Sequence, residues 1–209
     1  MNALLTHDNE NYTCRVEDTT VVFEFKKALF EIATDLEKKQ QFFSLLHAIE
    51  ESKEVRSILM LNVPGAVEQS EYEHFIQQIY ETGSKGQIGL GSEADVLISR
   101  EEHAINQLLR FVNQSGKVTA IGLQGRIMPP FFGIALAFDF RFATQGSTFF
   151  CSTVNVDMPP SGGLCFFLPL YVGWNKATEL ILSNNCLQID EALAIGLINT
   201  ALPVVYFAK

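Results

Sequence analysis

The sequence is short of charge, and the shortage is uneven. Only 19% of its 209 residues are charged, with fifteen Lys and Arg against twenty-four Asp and Glu, for a formal net charge of −9. Too few cations remain for the clustered basic surface that neutralises phosphates, which argues against a nucleic-acid partner. A small phosphorylated ligand, needing only two or three local cations, stays open. Long apolar runs are also missing. None reaches the ~18 residues of a membrane span, and the longest stretches, Ile127–Phe138 and Leu164–Trp174, are broken by Pro or Gly. The start, MNALLTHDNENYTC, lacks the basic and then apolar pattern of a secretion signal. Cys14, Cys151, Cys165 and Cys186 show no CxxC spacing, and His7, His47, His74 and His103 show no HxxxH pair. Neither a metal centre nor a disulfide framework is expected, and the cysteines read as reduced and buried in a cytoplasmic protein.

What is present is apolar: 47% hydrophobic residues, including seventeen Phe, and a mean hydropathy of +0.14. This excludes disorder and points to one globular domain with a large interior or an apolar oligomer contact. Residues 11–25 alternate around Glu17–Asp18 as a hairpin does. Thr34-x-x-Glu37 reads as a capping box opening a helix to Ser52, and VRSILMLN (55–62) as a buried parallel strand. A helix is expected over 71–81 and a surface loop over 84–94. Ser99-x-x-Glu102 reads as a second capping box, with Ile105, Leu108, Leu109 and Val112 on the buried face and His103 on the polar side beside Glu101 and Glu102. KVTAIGLQG (117–125) is a further buried strand. Helix, apolar strand and Gly-containing loop thus occur twice, as in a layered α/β protein whose site is built from loops at the strand ends.

From residue 117 the text reads KVTAIGLQGRIMPPFFGIALAFDFRFAT, then STFFCSTVNVDMPPSGGLCFFLPLYVGWNKATELILSNNCLQIDEALAIGLINTALP. It resembles the crotonase superfamily, the enoyl-CoA hydratase/isomerase family. There a strand ending in N-G is followed by a glycine-rich turn, E-L-A-x-A, D-x-R-x-A, F-x-x-P-E-V and I-x-A-x-E-A-x-x-x-G-L-V-N. Gly125, Ala135, Asp139, Arg141, Phe149, Pro160, Gly163, Gly173, Glu179, Glu191, Gly196 and Asn199 keep that register without a gap. The match is specific over the second half and looser over 11–62.

The resemblance implies an α/β spiral of ββα units that binds an acyl-CoA thioester as substrate or ligand, with no other cofactor. It implies residues 1–185 as the crotonase-like core and 186–209 as the start of a C-terminal helical and oligomerisation region. Relatives continue well past G-L-V-N, whereas this chain ends ten residues after Asn199. Most of that region is therefore expected to be missing, with apolar surface bared around Leu180–Leu197 and a homotrimer or other homo-oligomer formed there. The family's chemistry is stabilisation of a thioester enolate by two backbone N–H groups, and its hydratases add two glutamates.

Carried over residue by residue, that machinery is altered. The first glutamate falls on Gly133 and the second on Thr153. The glycine donating the second oxyanion amide falls on Pro130, which has no N–H. Phe131, Phe132 and Gly133 are the amides left nearby, and the first oxyanion loop lies within 65–70, between Gly65 and Ser70, with Ala66 and Ser70 as its candidates. Asp157 is the candidate substitute acid or base, or else an Asp fixing the turn before Pro159-Pro160. Thr153, with Cys151 and Ser152, reads as polar lining. Lys26 and Lys27 stand where relatives place a cation for the CoA phosphates, or form an ordinary exposed turn. Asp139 and Arg141 read as structural.

Two functions follow. One is an enzyme doing enolate chemistry other than hydration, as an isomerase, decarboxylase (a lyase) or thioester hydrolase of the kind found in fatty acid metabolism. The other is a non-catalytic binding or oligomer-forming paralog. A third reading lets Pro129-Pro130 reshape the turn for another ligand class.

Overall fold

The computed structural model describes residues 5–67, 69–82, 92–153, 160–183 and 185–204, with the backbone alone at residue 69. The hairpin forms as its alternation requires: β2 (Tyr12–Glu17) and β3 (Thr20–Phe25) pair antiparallel around a turn in which Asp18 takes a positive φ of 51°. A short β1 (His7–Asp8) adds to the edge. The apolar runs become β4 (Ser57–Asn62) and β5 (Val118–Leu123), which pair parallel with β3 and with each other. Parallel pairing demands crossovers. They are supplied by α1 (Leu29–Thr34) and α2 (Leu36–Glu51) after β3, and by α3 (Gln69–Thr82) and α4 (Glu93–Gln114) after β4.

After β5 come β6 (Arg126–Ile127), α5 (Pro129–Ala135), β7 (Phe140–Thr144) and β8 (Thr148–Phe150). Then follow α6 (Leu164–Leu182), β9 (Cys186–Gln188), α7 (Ile189–Ala194) and β10 (Thr200–Leu202). The large sheet runs β1-β2-β3-β4-β5-β7-β10 and the small one β6-β8-β9. Residues 186–204 are woven into both sheets, β9 on β8 and β10 on β7.

Two helix starts differ from expectation. Thr34 ends α1, donating its hydroxyl to Phe30 O, and Asp35 caps α2 by accepting from the Glu37 and Lys38 amides at 2.9 Å. The helix α1 is too short for its periodicity to show in sequence. Ser99 lies inside α4, whose cap is Ser92, accepting from Asp95 N at 3.1 Å. A Ser with an acidic residue three positions on occurs at both places, and only the first meets free amides. Ser92→Ala is expected to cost about 1 kcal/mol, roughly 2–4 °C of melting temperature for a domain of this size. Ser99→Ala is expected to stay within about 0.5 kcal/mol; parallel thermal melts check both.

Asp139 and Arg141 are structural, as expected. The Asp139 carboxylate accepts from Thr119 N and Oγ1 at 2.8 and 2.9 Å. The buried Arg141 guanidinium donates to Leu197 O and Phe138 O, and lies 4.5 Å over the Tyr171 ring. The apolar surface expected around Leu180–Leu197 is bare at Leu182 and otherwise lies further back along α6. Leu180, Leu187 and Leu197 are buried, whereas Phe166, Leu170, Trp174 and Leu182 along α6 are 66–75% exposed. The first set belongs to the buried core, and the outer face of α6 is bare. No helix among the described residues is long and apolar enough to cross a membrane.

Candidate active site

The parallel strands β3, β4 and β5 end side by side at Phe25, Asn62 and Leu123. Ligands of open α/β sheets characteristically bind beyond such carboxyl ends. The two chains leaving β4 and β5 are clamped together there. Asn62 Nδ2 donates to Gln124 O at 3.0 Å, Asn62 Oδ1 accepts from Gln124 N at 3.0 Å, and Gln124 Nε2 donates to Asn62 O. A few residues on, Met128 N donates to Val67 O at 3.3 Å. The loop after β4 and the turn before α5 are therefore held at a fixed separation. They are the two segments to which the resemblance assigns the oxyanion amides.

Beside them lies a cavity of about 120 Å³, walled by α1, α2, α4 and α5 and floored by the ends of β4 and β5. Its lining is almost wholly apolar, including Leu29, Phe30, Phe42, Val67, Leu108, Phe131 and Ile134. Phe131 reaches it from α5 and packs edge-on against Phe30 at 5.4 Å. Phe132 points the other way, fully buried against Phe149 at 5.0 Å. Helix geometry explains the difference, since successive side chains diverge by about 100°.

Among the backbone groups, Phe131 has a distinct position. Helix α5 opens with Pro129 and Pro130, which have no N–H, and Phe132 N already donates to Met128 O at 2.9 Å. Phe131 thus carries the one N–H among the first three helical residues, where no intrahelical acceptor exists. On the other loop, Ala66 N donates to Val63 O at 3.2 Å within its turn. Ser70 is exposed on the first turn of α3.

Gly133, where a hydratase glutamate would stand, is pressed against the turn that precedes α6. A Cβ built there would lie 2.6 Å from Gly162 O and 2.8 Å from Leu164 N, and one on Gly162 only 2.1 Å from Pro130 O. Backbone occupies the space that a side chain needs. Thr153 is buried outside the cavity lining, and Asp157 lies outside the described residues. Lys26 is engaged, its ammonium donating to Asp8 Oδ1 at 2.5 Å and Asn9 O at 2.8 Å. Lys27 is exposed. Cys14 and Cys151 are buried, with thiols pushed up to about 12 by burial. Cys165 is exposed and Cys186 half-buried, so the expectation of burial holds for two of the four.

The face that Glu101 occupies differs from expectation. Glu101 does not share the solvated side of His103; it is 4% exposed and lines the cavity. Burial raises its carboxyl to about 7, against the opposing effect of a hydrogen bond from Ser161 Oγ at 3.2 Å. The signal was present in the spacing, since Glu101 sits four residues before Ile105 and seven before Leu108 on the same buried stripe.

No protein-family model matches the chain. A 4-chlorobenzoyl coenzyme A dehalogenase from Arthrobacter is 29% identical over 97 residues, 46% of this chain and 34% of that protein. A trans-2-decenoyl-[acyl-carrier-protein] isomerase from Streptococcus mutans is 27% identical over 94 residues, 45% of this chain and 36% of its own. The matched segment thus spans about a third of the length of these curated relatives. Solved structures align over far more. The enoyl-CoA hydratase from Bacillus halodurans superposes with a TM-score of 0.75 at 18% identity, over 93% of this chain and 74% of that one. An enoyl-CoA hydratase/isomerase from Marinobacter aquaeolei gives 0.72 at 18% identity, over 96% and 73%. With its β3–β4–β5 layer, its proline-opened α5 and the Asp139–Arg141 pair all in place, the chain has the crotonase fold of the enoyl-CoA hydratase/isomerase proteins.

Proposed function

We infer that the chain binds the acyl group of a thioester, CoA-linked or carrier-linked, in the cavity under α1 and α4, and performs enolate-type chemistry other than hydration. One observation carries this reading: the apolar cavity opens on both Val67 and Phe131, so an acyl chain seated in it places its carbonyl beside the two tied loops. The names of the matched relatives, a coenzyme A dehalogenase and an acyl-carrier-protein isomerase, agree on a thioester. Hydration is disfavoured because Gly133 has no room for a carboxylate and Thr153 supplies none. The bare face of α6 is where a homo-oligomer contact would form, and the reading places the protein in the cytoplasm.

A thermal-shift series tests the reading. Short acyl-CoAs at a hundredfold excess over Kd should stabilise the fold by about 2.7 kcal/mol, roughly 5–10 °C, with CoA alone and unrelated nucleotides giving less. No shift with any thioester would sink it. Rapid conversion of crotonyl-CoA to the 3-hydroxy product would overturn the exclusion of hydration.

A further inference from the structure

Two cavities lie in line between α2 and α4. The acyl cavity is walled by Phe42 and Phe43 of α2 and by α4 as far as Leu108. A second, of about 330 Å³, continues from Phe43 to Glu50 along α2 and from Gln107 to Ser115 along α4 and just past its end, rimmed by the exposed His47 and Arg110. Both helices are crossovers between parallel strands, so both run from the carboxyl ends of the strands back toward the amino ends. The second cavity therefore lies beyond the first, on the side away from the proposed carbonyl position. The interval between the helices is pinned at each end. The Arg100 guanidinium donates to Thr34 O at 3.0 Å just ahead of α2, and the Glu50 carboxylate accepts from Ser115 Oγ at 2.6 Å and Gly116 N at 2.9 Å.

Among the described residues, Phe43 alone lines both cavities. Its neighbour Phe42 turns to the sheet, against Tyr12, Phe23 and Phe25 at 5.5, 5.8 and 6.0 Å. Phe43, about 100° further round the helix, faces the space shared with α4 and is 6% exposed. Phe42 backs it edge-on at 5.4 Å, so the ring stands as a braced partition.

Resting on the acyl-thioester reading above, we propose that Phe43 sets the length of acyl chain this protein accepts. A chain whose carbonyl lies beside Val67 and Phe131 runs along α4 past Ile105 to Leu108, about 10 Å from the level of Glu101. There the Phe43 ring crosses its path. Up to that point each methylene exchanges water for apolar wall, which is worth about fourfold in Kd. A further methylene must displace a ring in a close-packed layer or fold back on itself, and gains nothing. The space beyond is also suited to a chain, since the buried Leu46 and the half-buried Phe111 line it below the polar rim. One side chain, rather than an end to the apolar path, makes the limit.

The test measures Kd of the full chain for saturated acyl-CoAs from butyryl to dodecanoyl, beside Phe43→Ala and Phe43→Leu. In the wild type Kd should fall about fourfold per added methylene over the short members and then stop falling. In Phe43→Ala it should go on falling for several carbons more. Dodecanoyl-CoA should then bind on the order of tenfold or more tighter than to the wild type, with butyryl-CoA unchanged. Phe43→Leu removes fewer atoms and should extend the range by about one or two carbons, which gives a readout even where truncation to alanine unfolds the chain. A merely structural role for Phe43 would move Kd at all lengths together. Profiles of one shape in all the proteins that fold, or wild-type affinity that rises undiminished to dodecanoyl-CoA, would overturn the proposal while leaving the thioester reading standing. Failure of every acyl-CoA to bind would instead remove that reading and this one with it.

Discussion

Gly133→Ala is expected to destabilise the fold by about 3 kcal/mol, the upper end for overpacking, lowering the melting temperature by roughly 6–12 °C. The sign is the informative part. In an ordinary helix interior the same exchange stabilises by about 0.5–1 kcal/mol, because alanine loses less backbone entropy than glycine. Here the added methyl would meet Gly162 O at 2.6 Å and Leu164 N at 2.8 Å. Both are backbone atoms of the turn whose Gly162 and Gly163 hold φ of 74° and 75°, so no side chain can swing aside. Relief requires moving α5 from α6, two elements in direct contact, the second of which begins at the fully buried Leu164. Gly133→Glu should be worse still and should yield no hydratase. A thermal melt of Gly133→Ala at or above the wild-type temperature would show that the α5–turn contact is looser than described. The exchange at this position is therefore more than a missing carboxylate: the main chain has closed over its place.

That closure explains how much of the site the sequence makes legible. The strands were readable because β3, β4 and β5 are buried runs with strong residue preferences, and α4 because its apolar stripe repeats with helical spacing. The glycine-for-glutamate exchange was readable at Gly133, but the reason glycine is required there was not, since it lies in a contact with Gly162 twenty-nine positions away. Glu101 was obscured in a different way. Glu102 and His103 beside it are exposed, and a run of three polar residues reads as a solvated face unless the helical phase is followed back from Ile105. What buries Glu101 is tertiary: α3 with Tyr72 on one side and the Ser161 turn on the other. The cap at Ser92 and the exposed face of α6 went unread for the same kind of reason. Local pattern names the residues that can cap or be buried, and long-range packing decides which of them are.

The buried carboxyl has a thermodynamic signature independent of any substrate. In the unfolded chain Glu101 titrates at the ordinary 4.5, and in the fold at about 7. Between those values the folded state holds a proton that the unfolded state has released, so stability falls as pH rises through the window. The contribution is fully present below pH 4.5 and lost above pH 7, and at ~1.4 kcal/mol per pH unit it amounts to about 3 kcal/mol. Glu101→Gln cannot ionise and is similar in shape. Its stability should match the wild type near pH 4.5 and exceed it by about 3 kcal/mol at pH 8, the gap opening across the window. Urea melts of both proteins at several pH values read the difference, since the titrating groups other than its neighbours Glu102 and Tyr72 are shared and cancel. A constant difference from pH 5 to 8 would mean that water reaches the carboxylate in the cavity. A gap that opens as described would mean that the fold is less stable at neutral pH for keeping an acid where glutamine would be better tolerated. Sites that act on a substrate characteristically carry such a cost, and inert packing has no reason to retain it.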